Sequence, residues 1–268
     1  KGGIKIPPFN YNLFLKRIRP LAERTPARSY PDLHDHLKAL DDAGLLVTVD
    51  REINKDTEMH PLVRWQFRGG IEENDRKAFL FTNVVDSKGN KFDMPVAVGV
   101  LAANREIYAM GMGCPVEEVQ DRWAQAIANP IPPKEISSDE APCHEIIIEG
   151  DDLDRPGNAL DSIPVPISTP GWDVGPVATL TQYVTRDPDT GLTNMGNYRA
   201  QVKGPRRMGM NPSLELRPGI YIHWEKMKER GEKLPAAVVL GAPSCVTFTA
   251  AQKLPENLEE ITVAGGLV

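Results

Sequence analysis

The sequence predicts an α+β protein in which a mixed α/β domain is followed by a barrel-like β domain. Helical and strand patterns alternate between residues 30 and 126. A proline-rich connector, NPIPPKEISSDEAPC, comes next, and beyond it short β-rich runs are separated by turns rich in proline and glycine. We therefore predict an amino-terminal arm and α/β domain over residues 1–126 and a β domain over residues 127–268.

Composition favours a soluble globular protein and excludes several classes of function. The chain has 268 residues, of which 41% are hydrophobic and 25% charged, so it is long enough to bury a sizeable core. Its formal net charge of -6 provides no basic field for non-specific binding of nucleic acid. No run approaches the roughly 20 apolar residues of a membrane span. Three widely spaced cysteines suggest neither a disulfide framework nor a zinc module, which favours a reducing, cytoplasmic location.

The first elements follow from caps and periodicity. Residues 1–29 are basic and contain proline, and we expect an arm that packs on another surface. A helix then begins at Ser29 or Asp32 as the N-cap and stops at Gly44, with leucines at helical spacing between them.

The rest of the first half alternates between strands and helices. LVTVDREI alternates as a strand, and MHPLVRWQFRGG is typical of a helix closed by glycines. KAFLFTNVV and PVAVGVLA predict two strands around a polar DSKGNK turn. A longer helix, from about Asn104 to Ala126, is expected to break near MGMGCP.

Beyond the connector, four runs predict strands: HEIIIEG, VATLTQYVTRD, TNMGNYRAQVKG and PAAVVLG. RDPDTG has proline and glycine at turn positions and predicts a hairpin between the second and third runs. IHWEKMKERG predicts a helix that ends at Gly231.

The NMGNYR stretch carries the strongest chemical signal. Alternation places Asn194, Gly196 and Tyr198 on one face of the strand and Met195, Asn197 and Arg199 on the other. Asn and Gly are poor strand formers, so a polar group could approach this backbone, while a solvated edge strand explains the pattern about equally well. Arg199 and the following KGPRR favour an anionic ligand, because a guanidinium grips carboxylate or phosphate through paired hydrogen bonds.

Other candidate groups are weaker. The acidic pairs Glu117–Glu118 and Glu259–Glu260 are expected on solvated helix faces, and His223 is the one histidine placed to approach the ligand site. No phosphate loop, dinucleotide fingerprint, nucleophile elbow or Cys/His metal spacing occurs. The residues alone thus predict an anion-binding β domain without a complete catalytic set.

Four separated stretches together resemble one enzyme family. In order, they are APCHEIIIEGDDLD with IPVPISTPGWDVGP, then YVTRDPDTGLTNMGNYRAQVKG, then KERGEKLPAAVVLGAPSCVTFTAAQKLP, with VAVGVLAANREIYAMGMG upstream. From about residue 30 to the end, the chain resembles the UbiD family of prenylated-FMN-dependent (de)carboxylases, in its amino-terminal and flavin-binding part.

The resemblance implies a split β-barrel flavin-binding domain and reversible, non-oxidative decarboxylation of an aromatic or α,β-unsaturated carboxylic acid. It implies prenylated FMN, a divalent metal (Mn or Mg) and a place for K⁺ as cofactors. It also implies a flavin prenyltransferase that supplies the cofactor, and a homo-oligomer or a partner chain that carries the missing part.

The family's functional residues match positions within NMGNYR and further along the chain. Asn194 would bind the divalent metal that ties the cofactor phosphate to the protein, with His223 as a second metal ligand. Arg199 would be the catalytic residue that holds the substrate carboxylate against the cofactor. The implied cofactor-binding residues are Asn194, Gly196, Asn197, Tyr198, Arg199, Met210, Arg217, Ala250, Ala251 and Gln252.

The sequence departs from the family pattern at two points, which affect the expected metal ligands and the expected extent of the enzyme. Gly219 stands twelve residues before Gly231, where many members have a metal-binding histidine, and His223 lies one helical turn later. The family's metal-binding glutamate and two catalytic acids are expected beyond Val268. The chain would then be the amino-terminal part of a decarboxylase or half of a split enzyme; the alternative is a non-catalytic flavin-binding subunit or module. A flavin reductase would need a nicotinamide site, which nothing in the sequence resembles.

Overall fold

The computed structural model describes residues 32–255 and 257–267. The predicted arm over residues 1–29 and the alternative cap Ser29 lie outside this part of the chain. Helix α1 (Leu33–Asp42) begins at Asp32, whose side chain accepts a hydrogen bond from the Asp35 N–H at 3.1 Å. Gly44 follows with φ +67°, a conformation that glycine adopts without strain, so the predicted cap and stop are confirmed.

The first half contains two small mixed sheets. In one sheet the central strand is β3 (Ala78–Phe81). It pairs parallel with β1 (Leu46–Val49) and antiparallel with β6 (Val96–Val98). The other sheet repeats this arrangement with β2 (Ile53–Asn54), β4 (Val84–Val85) and β5 (Lys91–Phe92). The predicted polar turn over DSKGNK joins β4 to β5.

Three helices accompany these sheets: α2 (Met59–Arg68), α3 (Arg105–Gly111) and α4 (Val119–Ala128). Asn104 caps α3 by accepting the Ile107 N–H at 2.8 Å. The break between α3 and α4 confirms the expected interruption of the long helix near MGMGCP.

The connector region contains no strand in the place where one was predicted. HEIIIEG lies between two short 3-10 turns, and Ile146 is 77% exposed. The prediction was wrong because β-branched residues favour strands only where a neighbouring strand pairs with them, and none does here among the described residues.

The second half holds two antiparallel three-stranded sheets. One has the strand order β12-β8-β9 and the other β11-β10-β7. Their strands are β7 (Val177–Ala178), β8 (Gln182–Arg186), β9 (Thr193–Asn197), β10 (Ala200–Gly204), β11 (Arg207–Met210) and β12 (Ala237–Val239). The α+β class is confirmed, whereas the described residues do not close into a barrel.

Three helices complete the second half: α5 (Gly219–Glu229), α6 (Ser244–Ala250) and α7 (Glu260–Leu267). Gly231 has φ +73° just after α5, which confirms the predicted stop. No described helix has both the length and the apolar character needed to cross a membrane.

One hydrophobic core joins the two halves of the chain. Met112 and Ala126 from the first half pack with Phe248, Val263 and Leu267 from the second. Helices α4, α6 and α7 thus form one packed unit across the predicted boundary at residue 126.

Close approach of α7 to the connector requires a glycine. A Cβ on Gly265 would overlap the Ile131 carbonyl oxygen, so we expect Gly265→Ala to lower the free energy of unfolding by about 1–3 kcal/mol. In an open helix the same change would stabilise by about 0.5–1 kcal/mol. Urea unfolding measures the difference. Gly204→Ala is the matched control, because no heavy atom lies within 4 Å of its added Cβ. A Gly265→Ala protein as stable as the unsubstituted one would contradict this packing.

Candidate functional site

The chemically loaded stretch forms a β-hairpin, as predicted. Strands β8 and β9 pair antiparallel, with Thr185 opposite Asn194 and Gln182 opposite Asn197. The turn closes through a 2.8 Å hydrogen bond from the Asp187 N–H to the Leu192 carbonyl. The turn residues therefore place most of NMGNYR on the second strand of this hairpin.

One face of this hairpin packs against helix α5. Tyr183 belongs to a core cluster with Ile220 of α5, and the Thr185 hydroxyl lies 2.9 Å from Nδ1 of His223. Residues directly opposite each other on antiparallel strands share a face. Asn194, opposite Thr185, therefore also faces α5, while Gln182 and Asn197 face away from it.

The beginning of α5 is shaped around Asn194. A Cβ on Gly219 would overlap Oδ1 of Asn194, so the absence of a side chain at Gly219 lets the amide occupy this space. The Tyr198 ring folds over Gly196 in the same way, because a Cβ on Gly196 would overlap it. Burial raises the pKa of Tyr198, and the nearby Asn194 amide and Ile220 backbone partly oppose this.

Two acids cover the free edge of β9. Glu259 accepts the Thr193 N–H at 2.6 Å, and Glu260 accepts the Met195 N–H at 2.9 Å. The expectation that this pair is solvated was wrong for a physical reason: the following helix, ITVAGGL, has no charged face, so its first residues pack against the sheet. That lack of polar residues was the signal available in the sequence. Burial raises the pKa of Glu260, and the Met195 N–H partly lowers it.

Arg199 lies between β9 and β10 with its side chain exposed. It forms no ion pair with any residue that the structure describes. Its guanidinium is therefore free to bind an anion at the end of the hairpin.

The other predicted cofactor residues are distributed around this hairpin. Met210, at the end of β11, packs on the cluster that contains Tyr183 and Ile220. Ala250 is buried at the end of α6, which packs against β9, and the exposed residues Ala251 and Gln252 follow it.

Arg217 is already engaged by its neighbours in helix α5. It has φ +41°, forms a 2.6 Å ion pair with Glu225 and lies 5.6 Å from the centre of the Tyr221 ring. Its guanidinium would have to leave Glu225 before it could bind a phosphate.

His223 takes part in a polar network that ties the hairpin turn to α5. Its Nδ1 contacts Thr185, and its Nε2 lies 3.8 Å from Asp187. Burial lowers the pKa of His223, and Asp187 partly opposes this. Asp187 in turn forms a 2.7 Å ion pair with Lys226. A metal-ligand role for His223 would require it to give up these contacts.

Asp187 makes stability depend on pH. Its burial alone would raise the pKa, but Lys226 and the N–H groups of Asp189 and Thr190 outweigh it and hold the pKa at about 2, against the ordinary 3.8. A depressed carboxyl pKa stabilises the fold above the ordinary value, and this is lost as pH falls towards 2. We expect Asp187→Asn to cost about 2 kcal/mol at pH 7 and progressively less between pH 4 and pH 2. Denaturant unfolding across this range tests it, and a pH-independent difference would contradict it.

Unsatisfied polar atoms concentrate on the hairpin. Among the described residues, Asn197 Oδ1 and both polar side-chain atoms of Gln182 are buried without a hydrogen-bond partner. Buried polar groups without a partner are uncommon in native proteins, and each has a structural or functional reason. The described residues contain no cluster of three or more His, Cys, Asp or Glu side chains that could hold a metal. The amide of Asn194 and the carboxylate of Glu260 nevertheless supply two hard oxygen donors beside β9, of the kind that divalent cations prefer.

Comparisons with known proteins agree on one family. Residues 134–268 match the model of the UbiD 3-octaprenyl-4-hydroxybenzoate carboxy-lyase Rift-related domain, and residues 37–127 match that family's N-terminal domain. An uncharacterized protein of Synechocystis, sll0936, is 31% identical over an alignment of 255 residues, and the match covers 87% of this chain and 47% of that protein.

Solved structures show the same similarity in three dimensions. An evolved dimeric form of the UbiD-class enzyme HmfF from Pelotomaculum thermopropionicum, in complex with prFMN, matches with a TM-score of 0.75 and 28% identity, over 89% of this chain and 51% of that one. The closed form of vanillic acid decarboxylase from Sedimentibacter hydroxybenzoicus has a TM-score of 0.77 and 25% identity, over 90% of this chain and 49% of that one. The chain thus spans about half the length of these relatives.

Proposed function

The chain belongs to the UbiD family, and we propose from this that it is the amino-terminal and flavin-binding part of a reversible decarboxylase that uses prenylated FMN. The substrate is an aromatic or α,β-unsaturated carboxylic acid. The observation that carries the proposal is the β8–β9 hairpin, where the buried amide oxygen of Asn197 has no described partner and the exposed Arg199 follows the end of the strand. Bound prFMN and FMN in structures of the relative HmfF support the flavin.

We propose that Asn194 and Glu260 would hold a divalent cation, Mn or Mg, which would supply positive charge for the cofactor phosphate. Both residues supply hard oxygen atoms, and phosphate and water commonly complete the coordination shell of such cations. One carboxylate oxygen of Glu260 already accepts the Met195 N–H, which orients the side chain. With Glu260 in this role, a metal-binding glutamate would lie within the chain, whereas the sequence led us to expect it beyond Val268. His223 as a metal ligand and a nearby K⁺ site stay predictions.

Arg199 is proposed to bind the substrate carboxylate through two parallel hydrogen bonds. It thereby fixes the bond to be broken against the cofactor, and this positioning is the contribution of the chain's own residues. When bound, prenylated FMN supplies an acceptor for the electrons released as CO2 leaves. The product is protonated by an acid that we assign to the remainder of the protein.

We propose that the surroundings of this site also follow the family pattern. The two sheets of the second half belong to a split β-barrel, and a flavin prenyltransferase supplies the cofactor. The protein works in the cytoplasm, either as a homo-oligomer or with a partner chain that carries the remaining part.

A non-catalytic flavin-binding subunit is the second candidate, favoured by the absence of assigned catalytic acids from the described residues. The test is CO2 release by the full-length protein, co-produced with a flavin prenyltransferase and incubated with a panel of aromatic and α,β-unsaturated acids. Decarboxylation of at least one acid, or its exchange with labelled bicarbonate, supports the enzyme. A flavin-loaded protein inert towards every acid, even with its partner chains added, would favour the binding subunit.

A further inference from the structure

A cavity of about 760 Å³ lies between the two halves of the chain. One wall comes from the β4–β5 hairpin, and the other comes from residues 156–165 and from the turn between β10 and β11. None of the residues that line it belongs to the β8–β9 hairpin or is Arg199. Small-molecule sites commonly occupy about 300–1,000 Å³ and often lie between domains. This interdomain cavity is therefore large enough for a ligand and is separate from the site described above.

Hydrogen bonds hold the walls of the interdomain cavity in place. The Leu160 N–H donates to the Pro205 carbonyl at 2.9 Å, which joins one wall segment to the β10–β11 turn. In the first half, the Ser87 N–H of the β4–β5 turn donates to Asp56 at 3.0 Å. A site that is formed before binding requires little ordering when a ligand enters.

A buried lysine lines the interdomain cavity. Lys55 is 5% exposed, and its ammonium group donates to Asp56 at 2.6 Å and to the Val165 carbonyl at 3.0 Å. An ammonium group has three N–H donors, so one donor of Lys55 has no hydrogen-bond partner among the described residues. The Phe92 ring, which also lines the cavity, has its centre 5.6 Å from this ammonium group. The wall thus combines a cationic donor with a flat apolar surface.

Two exposed lysines, Lys88 and Lys91, also line the interdomain cavity. Lys88 forms no ion pair with any residue that the structure describes, and Lys91 has one long ion pair, at 3.8 Å, with an exposed glutamate. Of the three acids in the lining, Asp86 and Asp161 accept backbone N–H groups within their own turns, and Asp93 is exposed. The lysines therefore keep free donors, whereas two of the acids already use their acceptors.

We propose that the interdomain cavity binds a small carboxylic acid with an apolar body. The free donor of Lys55 binds the carboxylate, and Lys88 and Lys91 attract the anion to the cavity. The apolar body packs on side chains that include Phe92 and Ile163. This binding site does not depend on the proposed function, because no residue of the β8–β9 hairpin takes part.

The test follows the methyl resonances of isotope-labelled methionines in the full-length protein by nuclear magnetic resonance. Met94 lines the interdomain cavity and reports on it, whereas Met210, at the end of β11, reports on the proposed cofactor site. The probes are naphthoate and naphthamide, which have nearly the same shape and differ in charge. Titration of each probe gives its dissociation constant.

Charge reversal tests the role of the exposed lysines. The variant combines Lys88→Glu with Lys91→Glu. The matched control combines Lys134→Glu with Lys233→Glu, which reverses two exposed lysines that do not line the cavity and gives the same net charge.

In the unsubstituted protein, naphthoate should shift the Met94 resonance and bind about 10-fold more tightly than naphthamide. The Lys88→Glu, Lys91→Glu variant should bind naphthoate about 10-fold more weakly and naphthamide as before. The control variant should retain both affinities.

Several results would overturn this binding site. Naphthoate could leave the Met94 resonance unchanged or shift only that of Met210, which would mean that no acid enters the cavity. Equal affinities for naphthoate and naphthamide, or equal losses in the two double variants, would mean that the cavity lysines do not recognise the carboxylate. A protein that decarboxylates its substrate while Met94 does not respond would overturn this site and leave the proposed function standing.

Discussion

Replacing Arg199 by alanine is expected to lower kcat/KM for decarboxylation by about 100- to 1,000-fold. The side chain is exposed and forms no ion pair with a described residue, so its loss should leave the free energy of unfolding within about 0.5 kcal/mol. Its proposed partner is the substrate carboxylate, which loses both orientation and charge compensation. Steady-state kinetics with an acid that the unsubstituted enzyme accepts measure the effect.

Two matched variants separate charge from geometry. Arg199→Lys keeps the positive charge but cannot form the paired hydrogen bonds. Its kcat/KM should therefore fall between those of the unsubstituted enzyme and Arg199→Ala. Arg207→Ala removes another exposed arginine, on β11, and should leave kcat/KM unchanged. An Arg199→Ala enzyme as active as Arg207→Ala would remove Arg199 from the mechanism.

Replacing Glu260 by glutamine is expected to weaken binding of Mn²⁺ by about 100-fold and to reduce flavin retention with it. Glutamine can still accept the Met195 N–H, so the edge of β9 stays covered while the negative charge is lost. Titration with Mn²⁺ in the presence of FMN, followed by electron paramagnetic resonance, measures the change.

Glu259 provides the matched control for this variant. It covers the same strand edge through Thr193, whereas Glu260 is the one whose charge acts on Tyr198, beside Asn194. Glu259→Gln should therefore retain Mn²⁺ affinity. Equal losses in the two variants would mean that the acids serve only to cover β9.

Turn, strand and cap residues were enough to predict the hairpin that carries the site and the helix at the start of the fold. Turn residues fixed the hairpin after Arg186, because Pro188 and Gly191 leave the chain few other conformations. Alternation then assigned Asn194 and Asn197 to opposite faces, as observed. The caps at Asp32 and Gly44 were equally local.

The sequence-based predictions that failed concerned features that depend on contacts between distant parts of the chain. HEIIIEG has strand propensity but no described strand to pair with. The contact of Glu260 with Met195 spans 65 residues, so the apolar helix that follows could indicate burial of the acid but not its partner. The buried amide of Gln182 was hidden for the same reason, because its burial arises from sheet packing and not from its neighbours in sequence.

The visible absorption spectrum of the purified full-length protein, co-produced with a flavin prenyltransferase, tests the central claim most directly. If the β8–β9 hairpin is the cofactor wall, the unsubstituted protein carries a modified flavin, and Asn194→Leu, which removes an amide oxygen proposed to bind the cation, purifies without it. A protein that is colourless and takes up no added flavin would contradict the account, as would an Asn194→Leu variant with an unchanged flavin content.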